Sequence, residues 1–517
     1  MRELGIFTDG TICAPATIPG TGAISIIRVS GEDSLAIADK VIDVKGESLS
    51  ETEGYRLRYG TIFADDGSVL DNVIVSVFRA PHSYTGENSV EISCHASRFI
   101  VNAVLELLVN AGARIAASGE FTRRAFVNGK MDLAQAEAVA DVIASQSAAS
   151  HKVAMNQLKG GFSSELRVLR EKLLTMTSLL ELELDFSEED IEFASRSELG
   201  TLVNEALAHI VRLTDSFSRG NAIKNGVPVA IVGATNTGKS TLLNALLGEE
   251  RAIVSDIAGT TRDTIEETLN LGGVMFRFID TAGIRETDEL VEKIGIERTF
   301  KKLNEASIVL GMTDLSRGED SVLADAEYIW GKVNACGTGR EFLLLVNKCD
   351  VDGIESEEAG FAGAGSGVGF AGTGSGAGYA ETGTEAGSEA GYADKAGKMA
   401  RIEAALHEKG IVIKMVPISA KTGSGLPELT ETLAEIGRHI TGDTDETLVT
   451  NIRHYEALVR AATALGRVQD GLKVATLPPD LIAQDLREAL YHLGEIVGEI
   501  STDEVLGNIF RKFCIGK

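Results

Sequence analysis

At 517 residues the chain is too long for one core, and about three domains are expected. Hydrophobic residues make up 44% and charged residues 24%, no stretch approaches the ~20 apolar residues that span a bilayer, and MRELGIFTDG carries neither a basic nor an apolar leader segment, so no membrane anchor or secretory signal is expected and a reduced cytoplasm is the expected compartment. Forty-nine basic against 76 acidic residues give a net charge of −27, which excludes nucleic-acid binding through bulk charge and leaves only a local basic patch or a partner's surface.

Residues 1–127 alternate short apolar runs with turns. AISIIRVSG, NVIVSVFRA and SVEISCH read as strands, and FIVNAVLELLVNAGAR, apolar at three-to-four spacing, reads as a helix. From 128 to 220 the pattern is helical, with long amphipathic repeats broken at Gly160–Gly161, as in a bundle. VPVAIVG (227–233) opens an α/β region, 221–445, with further strand-like runs at FRFID, SIVLGM, EFLLLVN and IVIKMVPIS. Residues 446–517 return to helix, in HYEALVRAATALGRVQDGL and LIAQDLREALYHLGEIV.

One stretch, about 352–400, belongs to none of these. GFAGAGSGV (360–368) repeats almost unchanged as GFAGTGSGA (369–377), then decays through GYAETGTEA to GYADKAG. The repeat lacks the aspartates of calcium-binding nonapeptides, and so much glycine cannot repay its ordering entropy. It reads as a flexible insertion. The five cysteines stand far apart and form no CxxC, which argues against a zinc site or a disulfide framework.

Gly233-Ala-Thr-Asn-Thr-Gly238-Lys239-Ser240 is a complete GxxxxGKS between a strand and the helix STLLNALLG. Backbone N–H groups there wrap phosphates, Lys239 reaches their terminal oxygens, and Ser240 suits Mg²⁺. Asp280-Thr281-Ala282-Gly283 follows FRFID, where an aspartate can hold the metal's water and a glycine N–H can sense the γ-phosphate. Asn347-Lys348-Cys349-Asp350 closes EFLLLVN, and the Asp350 carboxylate can accept both guanine N–H donors, a pair that adenine lacks. Ser419-Ala420-Lys421 suits backbone contact to the guanine O6. NKxD is common by chance, but NKxD and SAK in order after a P-loop point to GTP.

The residue after Gly283 is Ile284, which cannot orient water as the glutamine of Ras-type enzymes does. Either hydrolysis is negligible or another group supplies the work. Asn236 offers a neutral carbonyl beside the phosphates, no arginine finger is identifiable in cis, and a monovalent cation could supply the missing charge.

Asp256-Ile-Ala-Gly-Thr-Thr-Arg-Asp263, DTAGIRET (280–287), the terminal Phe513-Cys-Ile-Gly-Lys517, Tyr84-Thr-Gly-Glu-Asn-Ser-Val-Glu91, the run from Gly119 to Lys130, and Asp132-Leu-Ala-Gln-Ala-Glu137 together resemble the MnmE (TrmE) family of tRNA modification GTPases. The resemblance covers nearly the whole chain except about 352–400. It implies a multidomain α/β protein: an N-terminal α/β tetrahydrofolate-binding and dimerisation domain (1–127), a helical domain made of 128–220 and 446–517, and a Ras-like P-loop G domain (221–445) inserted between the two helical parts.

It also implies a potassium-dependent GTPase activated when two G domains meet. Potassium would be held by Asn236, the backbone of Ser255 and Ile257, and Thr260; Mg²⁺ by Ser240 and Thr261. Glu292 would orient the attacking water and act with Lys239 in catalysis, although by pattern alone it is a solvated helix-face acid. GTP would also meet Thr237, Gly238, Thr241, Asp256, Ala258, Gly259, Thr281, Ala282 and Gly283. A 5,10-methylene- or 5-formyl-tetrahydrofolate would contact Arg28, Glu87, Lys130 and Lys517, with Cys514 at least as readily a packed thiol as a catalytic one.

The implied partners are a second copy, a flavin-dependent MnmG subunit in a heterotetramer, and tRNA held by the complex. The implied reaction adds an aminomethyl or carboxymethylaminomethyl group to C5 of a wobble uridine. The alternatives are a ribosome-assembly GTPase, which would carry a KH or second G domain that is not found, and a switch that binds folate and GTP without RNA chemistry. Three positions depart from the family pattern, Thr235 and Ser187 replacing prolines and CHAS (94–97) replacing CHGG, and none removes a group that the chemistry needs.

Overall fold

The computed structural model describes residues 10–185, 196–251, 267–279, 305–337, 339–350, 386–442, 446–474, 478–500, 503–511, 513 and 515–516. The chain divides into two compact units, Met1–Gly220 with Asp443–Lys517, and Asn221–Gly442.

The first unit opens with seven strands: β1 (Ile12–Pro15), β2 (Ile24–Ser30), β3 (Ile42–Val44), β4 (Arg56–Phe63), β5 (Val69–Phe78), β6 (Ser89–His95) and β7 (Arg114–Ile115). They form one sheet in the order β3-β4-β5-β6-β2-β1-β7, antiparallel except for the parallel β1–β7 pair. Alternation selects the faces: Val73, Val75 and Val77 of β5 point into the core, while Asn72, Ile74 and Ser76 point out. Helices Ser34–Val41 and Arg98–Asn110 cover the apolar face, where Leu35, Ala38, Val104 and Leu108 meet Ile27, Val75 and Ile92. The opposite face leaves Ile24, Leu57, Tyr59 and Ile74 exposed.

Helices then build the rest of the unit. Leu166, Leu169, Leu173, Met176 and Leu180 of Gly161–Asp185 recur at three-to-four spacing, as do Leu199, Val203, Ala206, Ile210 and Leu213 of Arg196–Asp215. These stripes share one core with Leu458, Ala461, Leu465 and Val468 of Ile452–Lys473 and with Ile482, Leu486, Ala489 and Leu493 of Pro479–Val497. The repeats before Gly160 are two helices rather than one long run. Leu133–Ala144 stops, and Ser147 starts Ala148–Leu158 with a capping box to Ser150, so a local hydrogen-bond exchange interrupts what periodicity alone would continue.

The two crossings of the chain out of this unit lie side by side. The Ser216 Oγ accepts the Val449 N–H at 3.1 Å, Arg219 pairs with Glu446 at 2.6 Å, and a Cβ on Gly220 would stand 2.2 Å from the Val449 carbonyl oxygen.

The second unit holds β8 (Val227–Gly233), β9 (Glu267–Leu271), β10 (Val274–Phe278), β11 (Ile308–Asp314), β12 (Glu341–Asn347) and β13 (Lys414–Pro417), in the order β13-β12-β11-β8-β10-β9. All neighbours are parallel except β9, against which β10 returns antiparallel after the Gly272–Gly273 turn. One face packs on helices Lys239–Arg251 and Leu426–Thr441, the other on Glu319–Ala335 and Ala386–Glu408.

That last helix overlaps the end of the stretch read as an insertion over about 352–400, of which 352–385 lie outside the described residues. Its lead is rich in Gly and Ala and gives no apolar period, yet the chain is helical from Ala386, and Ile402 and Leu406 are in the core. The strand read over 411–419 contracts to four residues at the sheet edge, where only one neighbour holds it. Among the described residues no helix is long and apolar enough to cross a membrane.

Candidate active site

In the second unit β8 pairs with β11 on one side and β10 on the other, so the sheet order reverses at β8, and the P-loop leaves its carboxyl end there. This is the crevice in which open α/β sheets bind ligands. Thr237 is buried and ties the loop by donating its hydroxyl to the Ala234 carbonyl at 2.9 Å. Asn236 and Lys348 adopt left-handed backbone conformations, φ +63° and +64°, which cost a non-glycine residue of order 1 kcal/mol or more and persist where the surroundings hold them.

Lys239 Nζ donates to the Gly233 and Ala234 carbonyls at 2.9 and 2.7 Å, so its cation curls over the loop that would cradle phosphate. Ser240 and Thr241 follow on the first turn of Lys239–Arg251, at the positive end of the helix dipole.

One side chain joins the three nucleotide motifs. Asn347 Nδ2 donates to the Thr237 carbonyl of the P-loop at 2.7 Å, and its Oδ1 accepts the Ala420 N–H of Ser419-Ala420-Lys421 at 2.9 Å. Asn347 is buried, so both bonds form away from water. The approach is close enough to demand glycine at 238, where φ is +99° and a Cβ would stand 2.4 Å from Asn347 Nδ2. The Cys349 N–H donates to the Ile418 carbonyl at 3.2 Å, joining the ends of β12 and β13, and the Thr422 N–H donates to Ser419 Oγ at 3.2 Å within the following turn. Asp350 and Lys421 stand exposed just beyond those ends.

Ser255, Asp256, Ile257, Ala258, Gly259, Thr260, Thr261, Asp280, Thr281, Ala282, Gly283 and Glu292 lie outside the described residues.

Sequence reasoning passed over Asp314. It ends β11 in register with Asn347, is 5% exposed, and accepts Lys348 Nζ at 2.6 Å. Its only sequence signal is a carboxylate closing an otherwise apolar strand.

A second cluster lies in the first unit, around the Tyr84–Glu87 loop. Arg28 donates from Nε and Nη2 to Glu91 Oε1 at 2.9 and 2.8 Å, and its guanidinium stands 5.1 Å from the Tyr84 ring centre and 5.6 Å from that of Phe121. Glu87 accepts Ser30 Oγ at 2.8 Å and Arg124 Nη1 at 3.1 Å. Lys130 lays its stem on Gly86 and donates to the Pro81 carbonyl at 3.0 Å. Arg28, Glu87 and Lys130 are thus brought to one loop.

Behind them Arg124 also binds Glu120 at 3.2 Å and donates to the Gly10 carbonyl at 2.9 Å. Burial pushes the Glu120 carboxyl up, but bonds from Arg114 and the Ala117 N–H and the charge of Arg124 outweigh it and hold the group at about 2. Arg124 and Glu120 were also passed over; Glu120 pairs locally with Arg114 and Arg124, but Arg124 reaches Glu87 and the Gly10 carbonyl, which lie far away in sequence. Lys517 and Cys514 lie outside the described residues, but Gly516 packs so closely on Pro15 that a Cβ would stand 2.0 Å from its carbonyl oxygen. Pro15 pairs with Ile27, one register step from the Ala14–Arg28 pair. Cys13 and Cys94 are pushed up to about 11 by burial, which removes both as thiolates near neutral pH.

A family model described as the MnmE helical domain matches residues 133–514, and one described as the GTP-binding protein TrmE N-terminus matches residues 11–130. Among similar proteins, one from Parabacteroides distasonis is 49% identical over 510 residues, covering 98% of this chain and all of that protein. One from Bacteroides fragilis (strain YCH46) is 48% identical over 509 residues, covering 98% and 99%. One from Flavobacterium johnsoniae is 45% identical over 516 residues, covering 99% and 100%. All three carry the name tRNA modification GTPase MnmE.

Proposed function

The chain belongs to the MnmE (TrmE) family of tRNA modification GTPases, and on that premise we propose that it is a potassium-dependent GTPase which, with a flavin-dependent MnmG partner, adds an aminomethyl or carboxymethylaminomethyl group to C5 of the wobble uridine of certain tRNAs. It is a GTP hydrolase acting in tRNA modification. The observation that carries the nucleotide reading is Asn347, whose two bonds join the P-loop to the SAK turn beside Asp350. Phosphate would lie on the backbone N–H groups of 236–241, and guanine against Asp350 and the Ala420–Lys421 turn, with Thr281–Gly283 assigned to the γ-phosphate from the sequence motif alone.

The donors fit the ions assigned to them. The Ser240 hydroxyl, at a helix start, is a hard oxygen suited to Mg²⁺, with Thr261 as its second protein ligand. The exposed Asn236 offers a neutral carbonyl oxygen for potassium, together with Ser255, Ile257 and Thr260. Bound there, the two ions supply positive charge to the phosphates as hydrolysis develops negative charge. Glu292 would hold the attacking water.

The Tyr84–Glu87 cluster fits a planar, anionic one-carbon carrier of the tetrahydrofolate type. The Tyr84 ring lies beside the Arg28 guanidinium, and Arg28, Glu87 and Lys130 offer charge, with Lys517 following Gly516 in sequence. When bound, that carrier supplies the one-carbon unit, and the chain's own residues orient it.

The open sheet face with Ile24, Leu57, Tyr59 and Ile74 supports a homodimer through the N-terminal domain. The charge of −27 supports a division in which MnmG holds most of the tRNA, and the whole works in the cytoplasm. The domain limits that accompany this reading are 1–127, 128–220 with 446–517, and 221–445.

The test is mass spectrometry of wobble uridines from a strain lacking the gene, complemented with the wild-type or the Asp350→Asn chain. The C5-modified nucleoside should disappear on deletion, return with wild type and return poorly with the variant. An unchanged nucleoside profile on deletion would sink the reading.

A further inference from the structure

Asp314 and Lys348 form an ion pair at the carboxyl ends of β11 and β12, next to the guanine position that the nucleotide reading proposed above, on which this inference rests, assigns to Asp350. Asp314 closes β11, and its register partner Asn347 closes β12. Asp314 Oδ1 accepts the Ser316 N–H at 3.0 Å and the Ser316 hydroxyl at 2.6 Å, which fixes the carboxylate on its own turn. Oδ2 is left for Lys348 Nζ at 2.6 Å. The Lys348 stem therefore runs from the end of β12 to the end of β11, with Asn347 on one side of it in sequence and Asp350 two residues beyond on the other.

A purine whose polar edge meets Asp350 and Ala420 needs an apolar wall along its ring face. Four methylenes of a lysine make such a wall only if the ammonium is tethered, because a free lysine side chain spreads over many rotamers. Burial pushes the Asp314 carboxyl up, but hydrogen bonds from Lys348 and Ser316 outweigh it and hold the group below the usual carboxylate range, so the anchor stays charged near neutral pH.

We propose that Asp314 is a positioning residue for guanine nucleotides: without touching the nucleotide, its carboxylate tethers the Lys348 ammonium so that the lysine stem stands as one wall of the base pocket. The pair thereby sets nucleotide affinity rather than the chemical step. Asp314→Asn removes the charge while keeping an acceptor for Ser316, and Lys348→Met removes the tethered group.

The test is a double-mutant cycle on the full-length chain, with mant-GDP binding read by fluorescence and steady-state GTP hydrolysis read alongside. Asp314→Asn should weaken binding roughly tenfold, the loss of one charge-assisted bond. Lys348→Met should weaken it at least as much, and the double variant no more than Lys348→Met alone, because both act through one contact. KM for GTP should rise in Asp314→Asn with kcat nearly unchanged.

Unchanged mant-GDP affinity in Asp314→Asn, a double variant showing the product of the two losses, or a fall in kcat at constant KM overturns the proposal. Should Asp314→Asn fail to fold, Asp314→Ser carries the same cycle. Failure of the wild-type chain to bind mant-GDP would instead overturn the nucleotide site itself.

Discussion

Glu137 and His454, 317 residues apart in sequence, meet at 2.6 Å between Glu137 Oε2 and His454 Nε2 inside the helical bundle. Arg453 closes on the same carboxylate with Nε at 3.0 Å and Nη2 at 2.9 Å, and also donates to the Glu495 and Ile496 carbonyls. Phe162 stacks on the His454 ring at 5.3 Å. This contact joins the helical segment made before the nucleotide-binding unit to the one made after it.

Replacing Glu137 by Gln leaves Arg453 and His454 without their charged partner, which should destabilise the bundle by about 3–5 kcal/mol. Burial pushes the Glu137 carboxyl up, but His454 and Arg453 outweigh it and hold the group at about 2, against an ordinary 4.5. A depressed folded-state value stabilises above pH 4.5, and that stability is lost as pH falls toward 2. Denaturation midpoints of wild type and Glu137→Gln should therefore differ most near neutral pH and converge between pH 4.5 and 2. A gap that stays constant across that range would remove the ion pair as its cause.

Hydrolysis should run faster in potassium than in sodium chloride, because a smaller ion spans Asn236 and the 255–260 segment less well. Asn236→Ala should abolish the preference while GDP still binds. Identical wild-type rates in the two salts would rule out a catalytic role for the cation.

Glu292→Ala should cut kcat by about 10²-fold or more with nucleotide affinity nearly intact, the signature of a lost water-orienting group. A weakened Kd with kcat preserved would make this residue structural.

The two intact nonapeptide repeats, 360–377, lie outside the described residues and read from sequence as flexible. Because Ile402 and Leu406 are buried on a helix beginning at Ala386, a deletion must stop short of that helix. Removing 360–377 should preserve GTP turnover and raise stability by no more than roughly 0.6 kcal/mol, the closure cost of halving a loop. If the melting temperature fell by several degrees, Phe361 and Phe370 would instead be anchors.

Sequence alone marked what depends on local pattern. VPVAIVG and EFLLLVN are apolar runs long enough to be buried strands, and each ends in a motif whose residues are contiguous. β9 was not legible, because ETLNL is short, half polar and held by one neighbour. Asp314 beside Lys348, and Arg124 beside Glu87, were not legible either, since strand register and helix placement bring them together across the fold. The helix from Ala386 was hidden by its lead, where Gly and Ala mask the period that Ile402 and Leu406 complete.

The clasp of Ser216 and Gly220 on Val449 has a consequence for synthesis. About 220 residues separate the two crossings, so at common elongation speeds the ribosome takes roughly 10–45 s to deliver the second half of the bundle after the first. Through that interval Leu166, Leu173, Val203 and Ile210 have no Leu458, Leu465 or Leu486 to meet. The nucleotide-binding unit can close on its own sheet while the bundle waits, and a nascent chain halted before Leu448 carries, besides that unit, an open apolar stripe, the form that a chaperone or protease would recognise.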